Sequence, residues 1–102
     1  MQRFDTTGST GFFDVLGRTD RSQAATMTLS PGQSTGGPTN VHAESDQWLY
    51  VVSGSGTATV EGERYDLLAG MLVLIEAGET HEITNDGDDP LETINVYAPP
   101  EY

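Results

Sequence analysis

The sequence predicts an all-β fold. Short runs in which apolar and polar residues alternate recur about every eight to twelve residues, and Gly, Pro, Asn and Asp separate them. No stretch has the apolar spacing of an amphipathic helix. Short, evenly spaced strands are typical of a β-sandwich or a small β-barrel, and periodicity alone does not choose between these two architectures. With 102 residues, the chain is expected to form one domain around one modest core.

Alternation and β-branched or aromatic content mark the candidate strands, which we place at residues 24–29, 41–44, 48–52, 56–60, 64–66, 71–75, 81–84 and 91–97. Residues 12–16 are expected to add an edge strand. Glu61-Gly62 predicts a tight hairpin with Gly62 at positive φ, and residues 52–56 predict a second sharp turn. Residues 30–39 form the longest irregular segment, which either borders a pocket mouth or is a plain surface connection.

The charge balance is strongly acidic: sixteen Asp and Glu residues oppose four arginines, lysine is absent, and the formal net charge is −12. Binding to nucleic acid depends on basic residues that replace counterions on the phosphates, so this composition argues against a nucleic-acid partner. A solvated acidic surface suits high salt, where self-repulsion is screened. The composition therefore favours a salt-adapted, halophilic source over an acidic docking face.

Cysteine is absent, which excludes disulfides, thiolate metal sites and thiol catalysis. No apolar run approaches the roughly 18 residues of a membrane span, and the first residues lack a basic region followed by an apolar one. These features predict a cytoplasmic protein without a membrane partner.

Two blocks of the sequence have the spacing of paired metal-site hairpins. The first contains Asn40, His42, Gln47 and Gly54, and the second contains Gly70, Gly78, His81 and Asn85. Together they resemble the cupin motifs G-x5-H-x-H-x3 or 4-E-x6-G and G-x5-P-x-G-x2-H-x3-N. In this alignment Asn40 stands at the first histidine, Gln47 at the glutamate, Ser34 at the opening glycine and Glu76 at the proline. The short gap between the motifs, residues 55–69, resembles that of small microbial cupins.

The resemblance implies a double-stranded β-helix, a small jelly-roll-like barrel of two antiparallel sheets with a ligand site inside. It also implies a single cupin domain over residues 1–102. Its core is expected at about 22–98, with residues 1–10 and 99–102 peripheral and ordered only where they pack on a partner.

The resemblance places a divalent metal at His42, Gln47 and His81, with Asn40 as a fourth ligand or as a residue that only satisfies nearby backbone. The ion would be Zn, Mn, Fe, Ni or Cu, or no metal would bind. The two amides leave this ligand set without the negative charge of the usual three histidines and one glutamate. Glu44 and Glu76 are therefore candidate catalytic carboxylates, either replacing the missing charge or acting as a general base.

The predicted function is a small cupin that binds a divalent metal and acts on, or binds, a small oxygenated molecule such as a sugar or an organic acid. The alternative is a metal-free cupin that binds a small molecule or serves in assembly, without catalysis. Trp48 and Tyr50 alternate with Gln47 and Leu49, so they are expected to face away from the interior. They suit packing between sheets or a homodimer interface, and cupins of this size are often homodimers.

Overall fold

The protein folds into two antiparallel β-sheets, as a computed structural model of residues 1–37 and 40–102 shows. This confirms the all-β class expected from the sequence. The strands, in chain order, are β1 (Phe13–Arg18), β2 (Gln23–Leu29), β3 (Asp46–Ser53), β4 (Ser55–Val60), β5 (Glu63–Leu68), β6 (Leu72–Ile75), β7 (His81–Thr84) and β8 (Leu91–Ala98). The described residues contain no helix that is long and apolar enough to cross a membrane.

The larger sheet has five strands in the order β1-β2-β8-β3-β6, and the smaller has three in the order β5-β4-β7. Strand β1 lies at an edge, as expected for residues 12–16. The inward faces of the two sheets meet in one apolar core, whose members are Met27, Leu29, Leu49, Val51, Ala58, Leu67, Ile75, Ile83 and Leu91. Burial of such side chains contributes about 1.5–3 kcal/mol each, so this shared core accounts for much of the attraction between the sheets.

Side chains of β3 alternate strictly between the interior and the surface. Gln47, Leu49 and Val51 are buried, whereas Trp48 and Tyr50 between them are 43% and 41% exposed. Successive side chains of a strand point to opposite faces, so one register places Gln47 inside and both aromatic rings outside. The predicted outward orientation of the two aromatic residues is confirmed.

The predicted strand over residues 41–44 is wrong. Val41 forms only an isolated antiparallel bridge with Thr80, and the chain bends at positions 43 and 44 before β3 begins. Single backbone bonds hold the segment instead: the His81 amide donates to the Asn40 carbonyl at 2.8 Å, and the Gly78 amide donates to the His42 carbonyl at 2.8 Å. Because residues 42–45 are not a regular strand, alternation does not decide where their side chains point.

The irregular segment before Asn40 follows β7 for part of its length. Ser34 bridges Thr84, and the Thr35 amide donates to the Ile83 carbonyl at 3.0 Å. Two residues of the segment predicted over 30–39, Pro38 and Thr39, lie outside the described part of the chain. The contacts with β7 bring Thr35 close to the interior, in agreement with a segment that borders a pocket.

Both predicted turns are present, and each depends on a glycine. The hairpin between β4 and β5 has Glu61 at φ 50° and Gly62 at φ 79°, so both central residues are in the left-handed region. Gly54 between β3 and β4 has φ 84°, and a Cβ added there would overlap the Pro90 carbonyl oxygen. A Cβ on Gly62 would meet no atom within 4 Å.

These two glycines give a matched test of the turn between the sheets. Gly62→Ala is expected to lower the free energy of unfolding by about 1 kcal/mol, the cost of positive φ alone. Gly54→Ala adds an overlap with backbone and is expected to cost about 3 kcal/mol or more. Urea denaturation followed by tryptophan fluorescence measures both values. Equal losses for the two variants would contradict the close approach of Gly54 to Pro90.

Candidate functional site

An interior cavity of about 360 Å³ opens between the two sheets. Its polar lining consists of Thr35, Asn40, His42, Gln47 and His81. Much of the remaining wall is aromatic, from Phe12, Phe13, Tyr97 and Tyr102. The structure thus brings all four residues of the predicted metal set to one cavity. A few polar groups in a mainly apolar concave wall are typical of a small-molecule site.

His42 and His81 lie side by side in this cavity, with ring centroids 4.7 Å apart. Their exposures are 6% and 3%, so both are buried. His42 Nδ1 is 2.8 Å from Glu101 Oε1, and His81 Nδ1 is 3.3 Å from the Glu79 carbonyl oxygen. Carboxylate and carbonyl oxygens only accept hydrogen bonds, so each Nδ1 is the donor. With Nδ1 engaged in both rings, Nε2 is the remaining ring nitrogen of each histidine.

The chemistry of His81 follows from its burial. Removal from water lowers the pKa of its imidazole below the usual value, and the neighbouring His42 ring lowers it further. The Glu79 carbonyl opposes this shift in pKa but is the smaller effect. His81 is accordingly neutral at pH 7, the form in which Nε2 accepts a hydrogen bond or binds a metal.

Glu101 is the carboxylate that the structure brings to the histidine pair. The Ser45 hydroxyl shares its single proton between the Pro99 carbonyl oxygen at 2.6 Å and Glu101 Oε2 at 3.1 Å, which helps to hold the carboxylate beside His42. Neither Glu101 nor Ser45 is predicted as a site residue by the sequence motifs. Glu101 lies 59 positions from His42, and no local pattern marks that contact.

Residues 99–102 are held against the larger sheet by Gln23. Its Oε1 accepts from the amides of Glu101 and Tyr102 at 3.2 and 2.8 Å, and its Nε2 donates to the Tyr102 carbonyl oxygen at 2.6 Å. Arg18 donates to the same carbonyl oxygen at 2.9 Å. The Tyr102 ring packs 5.2 Å from Tyr97 between centroids. This segment therefore packs on its own chain and forms part of the cavity wall.

The two tyrosines add uncharged hydroxyls to the wall. Burial raises the pKa of Tyr97 well above its usual value, and burial also raises the pKa of Tyr102. Both phenols are neutral at pH 7 and retain their protons as hydrogen-bond donors.

Gln47 of β3 lines the cavity and belongs to a buried chain of hydrogen bonds. Its Nε2 donates to Asn95 Oδ1 at 2.9 Å, Asn95 Nδ2 donates to Thr93 Oγ1 at 3.0 Å, and the Thr93 hydroxyl donates to the Met27 carbonyl oxygen at 2.8 Å. We call Met27, Thr93 and Asn95 the amide relay. Gln47 Oε1 is buried and has no partner among the described residues.

The amide relay fixes the orientation of the Gln47 side chain. The Met27 carbonyl can only accept, so the single Thr93 hydroxyl proton goes there and Thr93 Oγ1 must accept from Asn95. Asn95 then presents its oxygen to Gln47, which leaves Gln47 Oε1 as the free atom. Reversing both amides would put two acceptors around one hydroxyl proton and leave one buried group unpaired, which costs about 1–3 kcal/mol.

Asn40 contributes mainly through its backbone. Its carbonyl accepts from the His81 amide at 2.8 Å, and its side-chain Nδ2 is 3.4 Å from the Thr35 carbonyl oxygen. Asn85, the last residue of the second motif, also has a structural role, through its side chain. Its Nδ2 donates to the carbonyl oxygens of Leu29 and Asp89, both at 2.8 Å. These two amides position strands and loops around the histidines.

Glu44 and Glu76, the candidate catalytic carboxylates, have exposed side chains. Glu44 lies in the bend that precedes β3, where the expected sharing of a face with His42 does not apply. Glu76 follows β6 in a turn, where its amide donates to Glu79 Oε1 at 2.8 Å. Of the three carboxylates, Glu101 is the one in contact with a cavity histidine.

The available donor atoms set limits on a metal site. Across residues 1–37 and 40–102, no three His, Cys, Asp or Glu side chains are arranged to hold an ion. A divalent ion would therefore need Gln47 Oε1 beside the two imidazole Nε2 atoms. With both imidazoles in their neutral form these three atoms fit a cation, but the set carries no negative charge and amide oxygen is a weak ligand for the softer transition metals.

Comparisons with known proteins bear on the family. Residues 25–97 match the family model described as a cupin domain. The chain is similar to a structure from Bacillus halodurans, with 27% identity, a TM-score of 0.89, and coverage of 95% of this chain and 76% of that one. A double-stranded β-helix protein from Klebsiella pneumoniae shares the fold, with 24% identity, a TM-score of 0.78, and coverage of 91% and 80%. The predicted double-stranded β-helix is thereby confirmed.

Among curated proteins, the chain is similar to mannose-1-phosphate guanylyltransferase of Escherichia coli, with 30% identity over 86 residues. That match covers 84% of this chain and 18% of the enzyme. Across the curated relatives that head the comparison, the chain spans between 18% and 48% of their length. The family match over residues 25–97 and the shared barrel together establish that the chain belongs to the cupin family.

Proposed function

We propose that the interior cavity binds a small oxygenated molecule of the sugar class. The observation that carries the proposal is that His42, His81 and Gln47 line one aromatic-walled cavity of about 360 Å³, with both imidazoles oriented through Nδ1. A few polar side chains in a mainly apolar, aromatic wall suit a small molecule that has both ring carbons and hydroxyl groups. The name of the similar guanylyltransferase, whose substrate is a sugar derivative, supports the same ligand class.

Glu101 supports this site by holding His42. Its carboxylate accepts a hydrogen bond from Nδ1 and orients the ring beside His81. In a metal site the same contact would raise the basicity of the ligating imidazole. We therefore propose Glu101, together with His42, His81 and Gln47, as the functional set of the cavity.

Substitution of the histidines is expected to remove sugar binding. His42→Ala and His81→Ala each delete one acceptor and part of the cavity wall, so affinity should fall at least tenfold, about 1.4 kcal/mol. Glu101→Gln should weaken binding less, because an amide still accepts from Nδ1. Glu44→Gln and Glu76→Gln are matched controls that remove a carboxylate outside the contact. Calorimetric titration with a panel of hexoses provides the measurement, and unchanged affinity in both histidine variants would contradict the proposed site.

A divalent metal is the second candidate for the same atoms. It is favoured by the unpartnered Gln47 Oε1 and by the carboxylate behind His42, an arrangement that commonly orients metal-binding histidines. Gln47, His42 and His81 would hold the ion, with Asn40 at the cavity wall as the remaining amide. A bound ion would supply a Lewis acid toward a ligand oxygen.

Elemental analysis of protein purified without chelator tests the metal. If the ion is present, His42→Ala and His81→Ala should each reduce its occupancy severalfold, and Gln47→Leu should reduce it to a smaller extent. Glu76→Gln is the control that should leave occupancy unchanged. Substoichiometric metal that added Mn, Fe, Ni, Cu or Zn does not restore would remove this candidate and leave direct recognition by the acceptors.

We further propose that the outer face of β3 and β6 joins two copies of the chain. Trp48 pairs with Leu74 and Tyr50 pairs with Leu72 across the two strands, and all four side chains are 41–58% exposed. A contiguous apolar patch of this kind on a strongly acidic chain is typical of an interaction surface. Repulsion between two copies, each of formal charge −12, would weaken as salt increases, consistent with the salt-adapted source that the composition predicts.

Sedimentation velocity at low and molar salt tests the dimer. The wild type is expected to be dimeric, with tighter association at high salt. Trp48→Glu and Leu74→Glu should give monomers because they place charge in the apolar patch. Val15→Glu on edge strand β1, where Val15 is 48% exposed, is the matched control and should stay dimeric. A wild-type mass of one chain at both salt concentrations would overturn the dimer.

A further inference from the structure

We infer that Gln23, which does not line the cavity, is a positioning residue for ligand binding. It acts through residues 99–102, which we call the strap. The strap adds Tyr102 to the cavity wall and places Glu101 on His42. This inference rests on the proposed sugar-class ligand and adds a residue that neither sequence motif contains.

The first observation is the burial of Gln23. It is the first residue of β2, and its side chain lies on the same face as Ala25 and Met27, because side chains two residues apart on a strand share a face. It pairs with Tyr97 of β8 and is only 2% exposed. A buried amide needs partners for both its oxygen and its NH₂ group.

The strap backbone provides those partners. Gln23 Oε1 accepts from the amides of Glu101 and Tyr102 at 3.2 and 2.8 Å, and Nε2 donates to the Tyr102 carbonyl oxygen at 2.6 Å. Backbone amides only donate and carbonyl oxygens only accept, so the Gln23 amide has one orientation. Three bonds to two successive residues fix both the position and the direction of the strap.

The strap in turn carries two side chains to the site. Glu101 Oε1 lies 2.8 Å from His42 Nδ1. The Tyr102 ring packs against Phe13 and Tyr97, with distances of 4.8 and 5.2 Å between ring centroids. Tyr102 lines the cavity and is also 54% exposed, so it belongs to the outer part of the wall. Displacement of the strap would therefore open the wall and release the carboxylate from His42.

The bonds of Gln23 are needed because ordering the strap costs conformational entropy. Among the described residues, the other side-chain bonds to the strap backbone come from Arg18 to the Tyr102 carbonyl at 2.9 Å and from Ser45 to the Pro99 carbonyl at 2.6 Å. An apolar residue at position 23 would leave two amides without a partner, and they would regain one only by moving into water. Affinity then falls with the fraction of molecules whose strap is in place.

Hydrogen exchange followed by NMR tests the strap without a ligand. Gln23→Leu removes all three bonds and keeps a side chain of similar size, so the amides of Glu101 and Tyr102 should exchange at least about tenfold faster. Thr57→Val is the matched control, because it removes a buried hydroxyl that donates to Asp86 and makes no bond to the strap. It should leave both rates unchanged. Equal rates in the wild type and Gln23→Leu would overturn the role of Gln23.

Titration with glucose, mannose and galactose, followed by NMR so that weak binding is also measured, tests the effect on the ligand. Gln23→Leu should weaken binding of whichever hexose the wild type binds by about tenfold or more. Thr57→Val should keep the wild-type affinity although it loses a buried hydrogen bond, which separates positioning from general destabilisation. Unchanged affinity in a folded Gln23→Leu protein would overturn this inference and leave the proposed site.

A double-mutant cycle tests whether Gln23 acts through the strap. In the variant Glu101→Ala/Tyr102→Ala the strap backbone can still bond to Gln23, but both side chains that it carries to the site are gone. Adding Gln23→Leu to this variant should change the affinity by less than about twofold, because residues that act through the same contact are not additive. A further loss of about tenfold would overturn the indirect role.

The two kinds of measurement separate this inference from the proposal on which it rests. Failure of every hexose to bind the wild type would overturn the proposed function and the effect of Gln23 on affinity. The exchange rates of the two strap amides would still decide whether Gln23 holds the strap, because that measurement needs no ligand.

Discussion

The antiparallel register between β3 and β8 is the constraint on which the interior depends. It places Leu49 opposite Asn95 and Val51 opposite Thr93, and all four side chains are buried. A slip of one residue would turn Gln47 to the surface and bring Trp48 inside. The same pairing therefore determines which side chains form the apolar core, which aromatic rings lie on the outer face, and which polar side chains form the hydrogen-bond chain of Gln47.

In the interior, the polar hydrogen atoms of the histidines and amides have defined hydrogen-bond acceptors. Glu101 receives the His42 proton, the Glu79 carbonyl receives the His81 proton, and the relay receives those of Gln47 and Asn95. Satisfied in this way, buried polar groups add rigidity at little net cost. Among the described residues of this network, Gln47 Oε1 is the buried acceptor left without a partner.

The sequence predicted the parts of the fold that depend on local pattern. The alternation of β3 and the Glu61-Gly62 hairpin follow from strand periodicity and turn chemistry, and the motif spacing placed His42 and His81 in one site. Residues 41–44 are not a strand because isolated backbone contacts with Gly78 and Thr80, just before β7, hold them. The sequence could have indicated Asn95, because it is a polar residue on the inward face of β8. No sequence pattern indicates Glu101, because its contact with His42 exists only once residues 99–102 pack on Gln23.

A hydrogen-bond chain that starts at a backbone carbonyl also restricts which residues this barrel accepts together. Replacing Gln47 by glutamate would require a donor from position 95, and position 95 could supply one only by taking the proton of Thr93 away from Met27. Positions 47, 93 and 95 are therefore expected to change as a set when the barrel is redesigned or diversified. Introducing a carboxylate side chain at position 47 would therefore require changes at all three positions, although only Gln47 of the three lines the cavity.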